Sequence, residues 1–337
     1  MGEFHVSNPL TLDNVNASTS STINIFNVDN ADISFGDVTI TDTARTTPGA
    51  PTVNIAENDT SVFEIVFNTL NVTSANRTAL FATQSGGNNT TLDIGGGNLS
   101  SVGATALSLE GVSTAITLQS VSAQDTAIGI NLQEVGTTTA FHDFLRINGD
   151  GGTAGSGGTI AGVQRGIVVN GSEDISLSFL DVDASVTGVE LTAAGTQQPE
   201  QASVIGLRIT DAGGSANWIG IDSAWSNGPH FGDQNTIRDN TITGSGNGQT
   251  GIRVTNGQSV PAMELTINGN LINLTGAASD GINLSSTGTS ATSDSGHINL
   301  SGNVNNIINA TQNDFISTLG ANGAINNTIL VNGVPTP

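Results

Sequence analysis

The chain contains no cysteine and no lysine, and aromatic residues make up only 4% of it. Without cysteine, neither a disulfide framework nor a thiolate metal site can form. Seven arginines stand against 29 acidic residues, which gives a net charge of -22. Duplex nucleic acids and anionic membrane surfaces bind basic patches, so we expect no nucleic-acid partner. No apolar run is long enough to span a bilayer, and we expect no direct membrane insertion.

The chain is rich in residues that favour short strands and tight turns. Hydrophobic residues account for 36%, and glycine for 43 of the 337 residues. Asparagine, threonine and serine are frequent as well. This composition disfavours helices, and we find no amphipathic helical stretch of convincing length. The length suits two ordinary domains or one long array of repeats.

Residues 236–284 hold two copies of one unit. TIRDNTITGSGNGQTGIRV is followed, after a loop, by LTINGNLINLTGAASDGINL, so that Asn240 aligns with Asn270 and Gly251 with Gly281. Each copy has two short alternating apolar runs joined by a bend of small residues. Such a unit cannot bury its apolar face alone, so the copies must stack on one another.

The second half of this unit recurs along the chain as a small residue, an apolar residue, an outward residue and another apolar residue. Alternation with a period of two predicts strands with one buried and one exposed side. The first apolar residues should form a buried ladder, and asparagines should stack in a turn, either as an internal ladder or as a polar binding strip. The predicted ladder is Ile130, Ile167, Val189, Ile221, Ile252 and Ile282, and the predicted asparagine stack is Asn240, Asn270 and Asn303.

These repeats predict an all-β fold, namely a single-stranded, right-handed parallel β-helix (solenoid) of about eleven rungs. Asn-x-Ile followed by Gly-Ile-x-Leu or Gly-Ile-x-Val, in residues 240–254 and 270–284, resembles the repeats of pectin-lyase-like β-helix proteins. Exported bacterial adhesin and autotransporter passenger regions are the most similar of these. The resemblance covers about Thr22 to Val334. It bears on fold far more than on function, because that fold carries lyases, hydrolases, phage tailspikes and adhesin stalks.

Three outward residues are the candidate catalytic group: Glu190, Asp222 and Arg253. On successive rungs they would stand in one column. The resemblance implies that acidic and arginine residues on such a strand face bind metal and sugar acid and abstract a proton. The alternative is an exposed salt-bridge ladder of little energetic value. The Asn-Thr-Asp, Asp-Asp and Arg-Ile-Lys signatures of polygalacturonase-like enzymes are absent from the sequence.

A second candidate site, for ligand binding, is the aromatic cluster of Trp218, Trp225, His230 and Phe231. Sugars stack on exposed aromatic faces, so a carbohydrate platform is one interpretation. The other is a loop held against the coil by its own aromatic residues. The glycine-rich segment 148–162 lacks both the Lys-Ser/Thr of a phosphate loop and the regular aspartates of a calcium-binding repeat, and we expect a flexible loop there.

Together these observations favour a non-enzymatic extracellular rod, the passenger, stalk or adhesin-like surface domain of an exported bacterial protein. The alternative is a carbohydrate-active enzyme (a polysaccharide lyase or glycoside hydrolase) or a carbohydrate-binding module on a β-helix. A third class, ice or mineral binding on threonine rows, has only Thr241-Ile242-Thr243 in its favour.

We also predict from the sequence where the chain is located and what it binds. Met1–Phe4 reads as a remnant of cloning, and residues 5–337 as one domain cut from a longer exported protein. We expect an extracellular or cell-surface location. The expected partners are surface or extracellular polysaccharides or proteins, and the chain should be a monomer or a weak oligomer. No cofactor is expected; the alternative is calcium bound by the carboxylate pair of the outward column, a site that the arginine would weaken.

Overall fold

The structure is a computed structural model in which every regular element is a β-strand. It describes residues 2–13, 20–26, 31–56, 63–84, 90–136, 144–192, 201–225, 234–257, 263–287, 297–301 and 305–336. Within these ranges the chain has strands, bends and turns but no helix, and so no helix that could cross a membrane.

In chain order the strands are β1 (Gly2–Val6), β2 (Leu10–Asp13), β3 (Ile23–Phe26), β4 (Ala31–Asp42), β5 (Val53–Ala56), β6 (Phe63–Ala75), β7 (Leu80–Thr83), β8 (Thr90–Ile94), β9 (Gly97–Val102), β10 (Leu107–Glu110), β11 (Ser113–Leu118), β12 (Ser120–Gln124), β13 (Ile128–Gln133), β14 (Phe144–Ile147), β15 (Thr159–Asn170), β16 (Ile175–Ser178), β17 (Asp181–Thr192), β18 (Ser203–Ile205), β19 (Arg208–Asp211), β20 (Ile219–Trp225), β21 (Gln234–Arg238), β22 (Thr241–Gly244), β23 (Thr250–Asn256), β24 (Met263–Asn268), β25 (Leu271–Leu274), β26 (Asp280–Ser286), β27 (Ile298–Leu300), β28 (Asn305–Asn309), β29 (Asn313–Leu319), β30 (Ile325–Asn326), β31 (Ile329–Val331) and β32 (Val334–Thr336).

The strands pair in parallel with their equivalents one coil further along, which confirms the parallel β-solenoid. Each coil passes three faces in turn. Face 1 begins with β1, face 2 with β2 and face 3 with β3; the long strands β4 and β6 cover faces 1 and 2, whereas β15 and β17 cover faces 2 and 3. Face 3 is the unbroken series β3, β5, β7, β10, β13, β15, β17, β20, β23, β26 and β29, and these eleven strands are close to the expected number of rungs.

Face 3 carries the predicted aliphatic ladder. Ile130, Ile167, Val189, Ile221, Ile252 and Ile282 are Cα partners in sequence and are all fully buried, which confirms the prediction. Burying one such side chain contributes roughly 1.5–3 kcal/mol relative to exposure. A column of them along the axis therefore stabilises the stack of coils more than any single polar contact does.

The glycine at the start of each Gly-Ile-x-Leu strand is required by close packing. A Cβ on Gly251 would lie 2.6 Å from Ile272 Cγ2, on the next coil of face 2, and 2.7 Å from the carbonyl oxygen of Gly281. Gly220 meets Ile242 and the Gly251 carbonyl in the same way. Each glycine thus lets the corner between faces 2 and 3 close around a buried isoleucine.

The asparagine stack lies inside the coil, at the turn between faces 1 and 2. The backbone N–H and side-chain Nδ2 of Asn240 both donate to Asn270 Oδ1, at 3.1 and 3.0 Å, and Asn270 donates in the same way to Asn306. Every Nδ2 also donates to a backbone carbonyl, for example that of Val204. The internal ladder is therefore confirmed. Its third member is Asn306, whereas the predicted Asn303 lies outside the described residues.

Near the N-terminal end, the interior holds charged side chains. Arg45 donates to both carboxylate oxygens of Asp42 at 2.7 and 2.9 Å, and both side chains are almost fully buried. Arg77 is also buried and donates to the carbonyl of Ser20 at 2.6 Å. Burial and the nearby Arg45 lower the pKa of Arg77, while Asp42 acts in the opposite direction. These groups occupy inward positions that a hydrophobic pattern assigns to apolar residues.

The glycine-rich segment is shorter as a loop than expected. Thr159–Gly162 already belongs to β15, and the turn before it is held by Asp150, whose Oδ1 accepts from the backbone of Gly152 and Thr153. Hydrogen bonds, first of all from the Thr153 backbone, hold the pKa of Asp150 well below its usual range.

The connections that follow face 3 at 193–200, 226–233 and 288–296 lie outside the described residues.

Candidate functional site

The outward column of face 3 brings the three predicted catalytic residues together. Glu190, Asp222 and Arg253 occupy the same position on the neighbouring strands β17, β20 and β23. Arg253 Nε donates to Asp222 Oδ1 at 2.8 Å and a terminal nitrogen donates to Oδ2 at 2.6 Å. This two-pronged geometry is the strong form of an arginine–carboxylate pair. Asp222 is only 8% exposed, so the arginine covers a carboxylate that water barely reaches.

Arg165, which the sequence pattern does not reveal, lies beside the column on β15, where the column position itself is occupied by Val168. Its guanidinium lies 3.2 Å from Glu190 Oε2. Arg165 stands two residues before the inward Ile167 and beyond a register irregularity in β15, so simple alternation gives no signal for it. The column and the neighbouring Arg165 together contain two carboxylates and two arginines, and their formal charges cancel.

This pairing decides what the column can do chemically. Hydrogen bonding to Asp222 raises the pKa of Arg253, with the charges of Asp222 and Glu190 acting in the same direction against partial burial. Glu190 and Asp222 are each paired with a guanidinium. These ion pairs would have to break before either acid could act as a general base or before the two could bind a cation. Among the described residues, no group of three or more histidine or acidic side chains is arranged to hold a metal ion.

The described residues do not bring the predicted aromatic cluster together on the surface. Trp218 is fully buried at the turn that leads into β20, and its indole Nε1 has no hydrogen-bond partner among the described residues. A buried ring presents no face to a sugar. The backbone of Trp225 ends β20, whereas His230 and Phe231 lie outside the described residues. The interpretation of Trp225, His230 and Phe231 as a sugar platform stays a prediction.

Face 2 displays a polar surface that the sequence analysis did not find. Four strands that are neighbours on this face, β4, β6, β9 and β12, each present two small hydroxyl or amide side chains outward. In that order these are Thr39 and Thr41, Asn71 and Thr73, Asn98 and Ser100, and Ser120 and Ser122. Asn98 Nδ2 donates to Asn71 Oδ1 at 3.0 Å, and Ser120 Oγ donates to Asn98 Oδ1 at 2.7 Å. The row that contains Asn71, Asn98 and Ser120 is therefore linked from strand to strand by side-chain hydrogen bonds.

The threonine pair that prompted the ice or mineral hypothesis has no threonine pair on either side. Thr241 and Thr243 also point outward on face 2, and Arg208 and Leu271 flank Thr241 on the neighbouring coils. A flat, repeated threonine surface is therefore not built around this pair.

Face 1 carries a cavity of about 460 Å³ on its outer side, near the middle of the chain. Its polar lining comes from the adjoining strands β14, β16 and β18 and the residues just before them. The guanidinium carbon of Arg146 lies 4.4 Å from the centroid of the Phe144 ring. The lining residues are Phe144, Arg146, Asp174, Ile175, Ser176, Gln201 and Ser203.

Comparison of the chain with protein-family models, with curated proteins and with solved structures yields no match.

Proposed function

We propose that this chain is a non-enzymatic β-helical rod, the passenger, stalk or adhesin-like surface domain of an exported bacterial protein. The likeness of its repeats to pectin-lyase-like β-helices and autotransporter passengers supports a relation of this kind. A stack of parallel coils joined by a long buried aliphatic ladder also suits a spacer that holds a binding surface away from its point of attachment.

The observation that carries the non-enzymatic part is the charge-compensated column on face 3. A general base needs a carboxylate that can accept a proton from the substrate. Asp222 accepts two hydrogen bonds from Arg253, and Glu190 faces Arg165 at 3.2 Å. The column then serves to fix the register of coils whose outward faces would otherwise repel one another.

The test is an assay for cleavage of uronic acid polymers, with and without calcium. We expect neither unsaturated product, followed by ultraviolet absorbance, nor new reducing ends. Asp222→Asn should behave like the unaltered protein in this assay. Product that forms with the unaltered chain and disappears with Asp222→Asn would establish a lyase and refute the proposal.

The location has a separate test. An antibody raised against the purified chain should label intact, unpermeabilised cells of the producing bacterium or its culture medium. Labelling that requires permeabilised cells would contradict export.

A further inference from the structure

Some of the asparagines on the outward side of face 2 stand two residues before a serine or threonine. Asn-x-Ser/Thr, with x other than proline, is the triplet in which an asparagine amide accepts a sugar. An outward amide, an inward apolar residue and an outward hydroxyl follow one another readily in an alternating strand, so the surroundings of each asparagine decide which triplets can react. On this face the triplets are Asn71-Val72-Thr73, Asn98-Leu99-Ser100, Asn273-Leu274-Thr275 and Asn309-Ala310-Thr311.

These asparagines form two hydrogen-bonded pairs. Asn98 Nδ2 donates to Asn71 Oδ1 at 3.0 Å, and Asn309 Nδ2 donates to Asn273 Oδ1 at 2.9 Å. In each pair the side chain of the earlier asparagine uses only its oxygen, and its Nδ2 has no hydrogen-bond partner among the described residues. An N-linked sugar is attached to Nδ2 and leaves Oδ1 in place. The earlier asparagine of each pair can therefore take a sugar while the pair stays intact.

The later asparagine of each pair is a poorer acceptor. Asn98 and Asn309 would each have to withdraw Nδ2 from its hydrogen bond before that nitrogen could react. The hydroxyl of Thr311, in the triplet of Asn309, also donates to a backbone carbonyl of the neighbouring coil. Among these triplets, those of Asn71 and Asn273 combine a free amide nitrogen with an exposed threonine.

The surroundings of Asn273 also leave room for a sugar. Asn273 and Thr275 line an open groove of about 280 Å³ on face 2. Thr275 is exposed, and the contact of its hydroxyl with the carbonyl oxygen of Gly244, at 3.4 Å, is longer than an ordinary O–H···O hydrogen bond. A free amide nitrogen, an accessible hydroxyl and open space therefore meet at this point.

We propose that Asn273 and Asn71 are N-glycosylation sites, which accept a hexose from a nucleoside diphosphate sugar through a glycosyltransferase of the producing cell. In this reaction Nδ2 bonds to C1 of the hexose while the bond between C1 and the diphosphate oxygen breaks. The nucleoside diphosphate leaves, and Nδ2 gives up one proton to a base of the transferase. This goes beyond the rod proposal and does not depend on it, because the two acceptors lie on the surface whatever the chain does.

The experiment is peptide mapping by mass spectrometry of the chain isolated from the cells that produce it naturally. We expect the mass of at least one hexose on the peptides that contain Asn71 and Asn273, and much lower occupancy at Asn98 and Asn309. Chemical glycation does not imitate this result, because it requires an amine and the chain has no lysine. Unmodified Asn71 and Asn273, or equal occupancy of all these asparagines, would overturn the proposal.

Variants produced in the same cells tie the modification to the triplet. Thr275→Ala should abolish modification of Asn273 and leave that of Asn71 unchanged, which also shows that the chain is folded and processed, whereas Thr275→Ser should retain both. The matched control is Thr243→Ala, which removes a hydroxyl from the same groove without altering a triplet, and both sites should stay modified. Loss at Asn273 in both alanine variants, or in neither, would refute the assignment. These readouts are masses of the chain itself, so they are distinct from the lyase assay.

Discussion

Ile252 and Arg253 are neighbours in the chain with opposite surroundings. Ile252 is fully buried in the face 3 ladder, with Ile221 and Ile282 as its partners on the adjoining coils. Ile252→Asp would bring an unpaired charge into that interior and should lower the free energy of unfolding by about 4 kcal/mol. Chemical denaturation followed by circular dichroism measures this. A loss below about 1 kcal/mol would show that the inward face is assigned wrongly.

Arg253 points outward, yet its replacement should not be neutral. Arg253→Ser leaves Asp222, which is 8% exposed, without the guanidinium that covers it. We expect a loss of about 1 kcal/mol, since a mostly buried charged acceptor loses its partner. In a double-mutant cycle, adding Asp222→Asn should cost less in Arg253→Ser than in the unaltered chain. Strictly additive effects would mean that the pair contributes nothing to stability.

At the scale of single residues, the sequence predicts the positions of side chains that belong to the periodic motif and does not predict those of side chains outside it. The aliphatic ladder and the Glu190–Asp222–Arg253 column follow from one periodic motif, and both are found where expected. Trp218 is a single aromatic residue at a turn, and no periodicity assigns it to the interior. Arg77 is buried although charge predicts exposure, because the partners that make this possible come from distant coils. Such side chains become visible only once the coils are stacked.

The corner between faces 2 and 3 depends on glycine as an element of the fold. Gly251→Ala would place a methyl group 2.6 Å from Ile272 Cγ2, and overpacking of this kind typically costs about 1–3 kcal/mol. The control is Gly152→Ala, where a Cβ meets no atom within 4 Å, and its stability should change little. Denaturant midpoints of the two variants give the comparison. Equal midpoints would show that the corner relaxes freely around the added methyl group.

The turn between faces 1 and 2 depends on the asparagine ladder. Asn270 has neighbours on both sides, so Asn270→Ala would remove its side-chain bonds to Asn306 and Ile237 and take away the acceptor of the Asn240 N–H. We expect a loss of about 2–3 kcal/mol, because buried polar groups lose their partners. The exposed Asn309, which makes one side-chain bond to Asn273, serves as the control through Asn309→Ala. Similar losses for both would mean that burial adds nothing to the ladder.

At the scale of elements, the sequence predicts the positions of the strands better than it predicts where one face of the coil ends and the next begins. The Gly-Ile-x-Leu strands of face 3 stand out because a close-packed glycine marks each of them. Faces 1 and 2 are harder to separate, since β4 and β6 run through both without an intervening turn. For a related reason the sequence pattern predicts Asn303 as the third asparagine of the ladder, whereas the partner of Asn270 is Asn306. Beyond residue 300 the spacing changes, and the alignment of β25 with β28 depends on pairing rather than on spacing.

The whole molecule is a stack of coils that carries far more acid than base. With 29 acidic residues against 7 arginines, carboxylates come together on successive coils about 4.8 Å apart, as Glu190 and Asp222 do. Net charge of this size keeps a chain soluble but destabilises its compact state through repulsion. The ion pairs of face 3 relieve this only locally, because 7 arginines cannot neutralise 29 acidic residues.

Screening that repulsion should stabilise the fold. Raising sodium chloride from about 10 mM to 0.15 M shortens the Debye length from roughly 30 to 8 Å, so the melting temperature should rise by a few degrees. Differential scanning calorimetry measures the shift, and potassium chloride should reproduce it. Magnesium and calcium chloride at equal ionic strength should agree with each other, whereas an excess stabilisation by calcium alone would indicate a specific calcium site. A melting temperature that falls with salt would mean that the arginine–carboxylate pairs outweigh the repulsion, because salt weakens those pairs as well.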